Sequence, residues 1–100
     1  MAKLITIYWR DIPSQVIARK GRETAFKLPL AERFQVAIDR AAMRAGKGSS
    51  DAYIAQWRRE SSDVEGDLRA AAESAAARLD AAFDDERLER FVKNGGVAVD

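Results

Sequence analysis

The sequence predicts an α+β fold, an N-terminal three-stranded antiparallel meander followed by three to four helices, and three observations carry that prediction. Residues 3–28 hold three short runs rich in β-branched and aromatic side chains, the composition of a pleated, half-buried surface. From Leu30 onward, apolar residues recur at spacings of three and four, the period of a helix face. The chain has 100 residues, 47% apolar and 33% charged, which suffices for one hydrophobic core and falls short of two. A single domain over 1–100 is therefore expected, with an α+β core over about 3–59 and an acidic, alanine-rich helical extension over about 62–93.

The elements follow in order. Lys3–Trp9 forms the first strand, with Ile5, Ile7 and Trp9 on the core side by the period of two and Leu4, Thr6 and Tyr8 on the other. Asp11-Ile12-Pro13-Ser14 reads as a turn, because Pro13 fixes its own φ and offers no ladder donor. Gln15–Arg19 and Glu23–Leu28 supply the second and third strands, joined tightly at Lys20-Gly21. Pro29 stops the sheet and opens a helix over 30–45, with Leu30, Phe34, Ile38, Ala41 and Ala45 on one stripe. Ser50 caps a second helix, which buries Tyr53, Ile54 and Trp57. Ser62-Asp63-Val64-Glu65 has the form of a capping box at the start of a long helix. Its seam, Val64, Leu68, Ala71, Ala75, Leu79 and Ala82, is half alanine and buries little area per position. Asp84 or Asp85 caps a final helix with Leu88, Phe91 and Val92 inward; Asn94-Gly95-Gly96 ends it and the last four residues fray.

Composition excludes whole classes of chemistry. The chain has neither histidine nor cysteine, which removes imidazole acid–base catalysis, thiolate nucleophiles, cysteine-based zinc sites and haem attachment. The carboxylates show no paired spacing and no calcium-loop pattern, so no metal and no cofactor is expected. Gly46-Lys47-Gly48-Ser49-Ser50 lacks phosphate-loop spacing and follows a helix, as a helix connector does. The N-terminus has no long apolar stretch with a cleavage site and no apolar run spans a bilayer; a cytoplasmic, non-membrane protein is expected.

Net charge is +1, but it is divided: residues 1–60 carry +6 and residues 61–100 carry −5. Either the halves attract each other and solvate different faces, or the basic half meets a polyanion or an acidic partner. The candidate partner-binding residues are Tyr8, Arg10 and Asp11 at the first turn, Arg19, Lys20 and Arg22 at the basic hairpin, and Arg58, which follows Trp57 as Arg10 follows Trp9. Each also has a structural use. A turn aspartate accepts backbone amides, an arginine folds over an aromatic, and edge lysines and arginines keep foreign strands away.

Tyr8-Trp9-Arg10-Asp11-Ile12-Pro13, Gln15-Val16-Ile17, Glu32-Arg33-Phe34, the run Ala37–Met43, Asp51-Ala52-Tyr53 and Trp57 together resemble the small bacterial family described as the virulence factor domain. The resemblance covers about residues 3–59. It implies a bacterial protein that acts through a partner, and it brings no reaction and no catalytic residues. In larger members of that family the domain looks like an appendage to helical-repeat segments, and no such repeat is read in this sequence. The functional expectation is a non-enzymatic interaction or accessory module that binds a protein partner through the N-terminal sheet and turn. The alternative is a nucleic-acid-binding module in which Tyr8 stacks a base and the basic strands track phosphates. Self-association through the 62–83 helix is a further expectation.

Overall fold

A computed structural model of the chain describes residues 2–98. Its elements in chain order are β1 (Ala2–Trp9), β2 (Ile12–Lys20), β3 (Glu23–Pro29), α1 (Glu32–Arg44), α2 (Ser50–Ile54), β4 (Trp57–Val64), α3 (Leu68–Ala82) and α4 (Asp85–Lys93). The α+β class and the β1–β2–β3 meander are as predicted. The sheet, however, has four strands in the order β3-β2-β1-β4, all neighbours antiparallel.

The fourth strand corrects two expectations at once. Trp57, assigned to the buried side of a second helix, begins β4, and the supposed capping box Ser62–Glu65 lies at that strand's far end. The helix at Ser50 is only five residues long, and Ile54 is exposed. Trp57-Arg58-Arg59-Glu60 fits helix or strand by composition alone. An eight-residue ladder with β1 decides the matter by satisfying backbone groups that a short helix leaves free. The true cap of α3 is Asp67, whose side chain accepts hydrogen bonds from the backbone N–H groups of Arg69 and Ala70.

The first turn is also displaced. Ile12 and Pro13 belong to β2 and are buried, so Arg10 and Asp11 alone make the reversal. The β1–β2 register shifts between Ile7 and Tyr8, leaving Ser14 as an extra residue on β2. β1 keeps an unbroken register with β4, so Leu4 and Trp9, five residues apart, alternate to different faces. Leu4, Val16 and Ala18 meet Ala72 and Ala75 of α3 in one core, whereas Trp9 and Ile12 join Phe34, Ile38, Ala41, Leu88, Phe91 and Val92 in a second. Leu30 and Leu79 pack against both. The expected core face of β1 is therefore correct for Trp9 and reversed for Leu4. Ile5 and its cross-strand partner Ile17 are buried but join neither core. Alternation turns them away from Leu4 and Ala18, toward the face opposite α3.

Residues 68–93 supply Ala72, Ala75, Phe83, Leu88, Phe91 and Val92 to these cores. Of the predicted seam alanines only Ala75 is buried; with Ala72, which that seam omitted, it lets α3 lie directly against β2 and β3, while Ala82 is exposed. Ion pairs then join the basic and acidic parts of the chain: Lys3 with Asp63 at 2.5 Å, Arg33 with Asp80 at 3.0 Å and Arg40 with Glu89 at 2.7 Å. The hydrogen bond from Lys3 holds the Asp63 carboxyl below its usual range, and that from Arg40 does the same for Glu89. No helix among the described residues is long and apolar enough to cross a membrane.

Candidate functional site

The structure divides the seven predicted site residues into two groups at opposite ends of the sheet. Tyr8, Arg10, Asp11 and Arg58 meet at the β1–β2 turn; Arg19, Lys20 and Arg22 lie at the β2–β3 turn.

At the first turn, Arg10 adopts φ 53°, the left-handed region that a β-carbon disfavours by about 1 kcal/mol or more. Its hydrogen bonds hold it there. The backbone N–H donates to Gln56 O at 3.1 Å, Nε donates to Gln56 Oε1 at 3.1 Å, and a terminal nitrogen donates to Gly95 O at 3.0 Å. Asp11 grips the C-terminal segment from both sides. Its N–H donates to Gly96 O at 2.9 Å, and its carboxylate accepts from the N–H of Ala98 at 2.7 Å. Arg58 completes the cluster by donating to Arg10 O at 2.8 Å and to Asp11 Oδ1 at 3.0 Å, with a third contact to Glu60. Its guanidinium carbon sits 4.5 Å from the centre of the Tyr8 ring. Burial, reinforced by Glu60, raises the Tyr8 hydroxyl above its ordinary pKa while Arg58 opposes the shift.

Beneath this cluster Trp9 is fully buried, donates its indole N–H to Tyr53 O at 2.9 Å, and packs its ring on Gly96 and Ala41. The stretch Tyr8–Pro13 is thus a clamp that ties the turn, α2 and the segment after α4 together. Val97 and Ala98, expected to fray, follow the clamped glycines, and Ala98 is bound by Asp11; Val99 and Asp100 lie outside the described residues. Gln56, Gly95 and Gly96 are the partners that sequence reasoning missed. Gly95-Gly96 reads only as a helix stop, and the demand for a bare Cα against Trp9 arises from a contact 87 residues away in the chain.

The second group has a different character. Arg19, Lys20 and Arg22, with Lys27 and Arg59, form no ion pair among the described residues. Register places Arg19 opposite Lys3, Lys27 opposite Ile17, and Arg59 opposite Ile7. The face turned away from α3 is therefore an isoleucine centre, Ile5, Ile7 and Ile17, ringed by Lys3, Arg19, Lys27 and Arg59. Their aliphatic stems are long enough to cover the isoleucines while the charged heads stay in water. At its β4 side, Ile7, Trp57, Arg58 and Arg59 line a shallow recess of about 370 Å³. A second recess of about 410 Å³ lies between α1 and α4, where Arg40–Glu89 and Arg33–Asp85 pairs span its rim.

Among the described residues no group of three or more acidic side chains is arranged to hold a metal, and no buried side-chain polar atom is without a partner.

The family model described as "Virulence factor" matches residues 7–92. The chain belongs to the virulence factor family. The match begins at Ile7, immediately before the clamp, and runs through α3 into α4, well beyond the 3–59 stretch on which the sequence resemblance was drawn. Virulence factor family membership thus takes in the Tyr8–Pro13 turn, the whole of β4 and both cores except Leu4. Comparison with curated proteins and with solved structures returns no match.

Proposed function

We propose that this virulence factor family domain is a non-enzymatic accessory module that docks an acidic protein segment on the cationic side of its sheet. The observation that carries the reading is the contrast between the two groups of candidate residues. Arg10, Asp11 and Arg58 spend their hydrogen-bonding capacity inside the clamp, whereas Arg19, Lys20, Arg22 and Lys27 are free of ion pairs among the described residues, and Arg19 and Lys27 border an apolar strip. Unpaired cations around apolar side chains suit a partner that brings carboxylates and a few apolar anchors.

Nucleic acid is the weaker reading because its stacking platform is occupied. Tyr8 lies under the Arg58 guanidinium, Trp9 is fully buried, and Trp57 is partly covered by Tyr53, 5.7 Å away ring to ring. Phosphate contacts alone give affinity without base stacking.

Titration of the folded chain with an acidic peptide and with mixed-sequence single-stranded DNA, each over a salt series, tests the proposal. The expected result is saturable peptide binding that Arg19→Ala with Arg22→Ala weakens about tenfold, and DNA binding that is weaker at every salt concentration. Peptide binding indifferent to both substitutions, or DNA bound more tightly than peptide, overturns it.

A further inference from the structure

The two edges of the sheet are built differently. On β3 the bond from Leu30 N–H to Ser14 O, 3.0 Å, fixes the phase of the ladder, so Val16 and Leu28 exchange hydrogen bonds while Lys27 and Pro29 turn their backbones outward. Pro29 has no N–H to offer, and the register shift between Ala18 and Arg19 leaves Ala25 as a bulge. A proline, a bulge and an outward lysine are the devices that keep foreign strands off an edge. The β4 edge has no proline, no glycine and no register shift over eight residues, and its interior residues are all exposed. What it carries instead is charge of both signs, basic at Arg58-Arg59 and acidic at Glu60 and Asp63.

The phase of this edge is also fixed. Arg10 N–H donates to Gln56 O, so Tyr8 and Arg58 form a hydrogen-bonded pair with β1, as do Thr6 with Glu60 and Leu4 with Ser62. Trp57, Arg59, Ser61 and Asp63 therefore turn their N–H and C=O groups outward. A second copy related by a two-fold axis must place some residue opposite itself. Centring on Arg59, Glu60 or Asp63 sets like charges face to face, and centring on Ser62 shortens the ladder to residues 60–64. Centring on Ser61 sets Arg59 of each copy opposite Asp63 of the other, Arg58 opposite Val64, and Glu60 opposite Ser62. It makes every outward backbone group from Arg59 to Asp63 part of a hydrogen-bonded pair.

From this we infer that the occupant of the β4 edge is a second copy of this chain, paired antiparallel about Ser61 into one eight-stranded sheet. Arg59, which forms no ion pair among the described residues, and Asp63, which pairs with Lys3 among them, lie on the same face, so the two cross-strand Arg–Asp contacts form without breaking an existing pair. The helices do not obstruct the approach, since α3 packs on β2, β3 and β1. Of the alanines in the predicted seam, Ala75 is buried against the sheet, Ala71 is half-buried and Ala82 is exposed. The inference stands independently of the acidic-partner reading.

Sedimentation of the whole chain over a concentration series up to about 1 mM is the test, since a single-edge interface is small and a weak dimer is expected. Ser61→Pro removes an outward N–H that β1 does not use, so the variant keeps its far-ultraviolet circular dichroism while its dimer dissociation constant rises at least about tenfold. Arg59→Asp alone and Asp63→Arg alone set like charges opposite each other and sediment as monomers. An equimolar mixture of those two variants restores both opposite-charge contacts and returns dimers. A wild-type chain that is monomeric throughout, a dimer indifferent to Ser61→Pro in the folded variant, or a mixture that stays monomeric overturns the inference.

Discussion

Gly96 shows how much a single residue of this chain is constrained by its tertiary partner. It has φ 92°, and a β-carbon there would lie 2.8 Å from the Trp9 ring. Trp9 cannot retreat, being fully buried and tied through its indole N–H to Tyr53. Gly96→Ala is therefore expected to cost about 1–3 kcal/mol, measured as a lower urea midpoint with an unchanged slope. Gly21→Ala is the control. It shares a positive φ of 62° but meets nothing within 4 Å, so only the backbone penalty of about 1 kcal/mol applies. At this scale the sequence was legible for side chains whose use is local. Trp9 as core and Leu88, Phe91 and Val92 as the inward side of the last helix were readable from short-range pattern, and its cap was narrowed to Asp84 or Asp85, of which Asp84 holds the role. Arg10 and Asp11 were readable as a turn pair, and their partners Gln56, Gly95 and Ala98 were not, since nothing local in a sequence encodes a contact across 46 to 87 residues.

Among the elements, the revealing case is the stretch 57–68. Its sequence offers a plausible capping box at Ser62 and a plausible helix around Trp57, yet the chain forms a strand there and caps α3 at Asp67. The two caps give opposite expectations for two mutants. Asp67→Ala removes the acceptor for Arg69 and Ala70 N–H and should cost about 1 kcal/mol, whereas Ser62→Ala, on an exposed edge strand, should stay within about 0.5 kcal/mol. Thermal or urea denaturation of the two single mutants separates the assignments, and a larger loss for Ser62→Ala than for Asp67→Ala would favour a cap at Ser62. The long helices were legible because 13 and 15 residues of periodic pattern leave little alternative. The five-residue α2 and the fourth strand were not, because short segments take the conformation that their neighbours complete.

Taken whole, the molecule is a sheet with one helix-packed side and one cationic side, and its parts are interlocked. Phe91 is nearly fully buried, packs edge-on against Phe83 with ring centres 5.2 Å apart, and shares a core with Trp9 and Phe34. Phe91→Ala is expected to cost about 3–5 kcal/mol. It should also lower the protection of β1 amides in hydrogen exchange, because the acidic C-terminal helices and the sheet then melt as one unit. Retained β1 protection in a destabilised variant would instead identify residues 62–93 as a separable extension. The charge division has its counterpart at this scale: α1 presents Arg33 and Arg40 to acids of α3 and α4, while the β2–β3 end keeps its cations free of ion pairs among the described residues.

Composition and periodicity by themselves determined the α+β class, the three-stranded meander, the two long helices, the last helix with its inward face, and the exclusion of imidazole and thiol chemistry. These follow from local propensity and from residues the chain does or does not contain. Tertiary structure alone decided that β4 joins the sheet, that Leu4 and Trp9 enter different cores, and that the turn residues clamp the C-terminal segment. Each of those outcomes satisfies backbone hydrogen bonds or buried volume contributed by a distant part of the chain, and such a requirement exists only once both parts have been brought together.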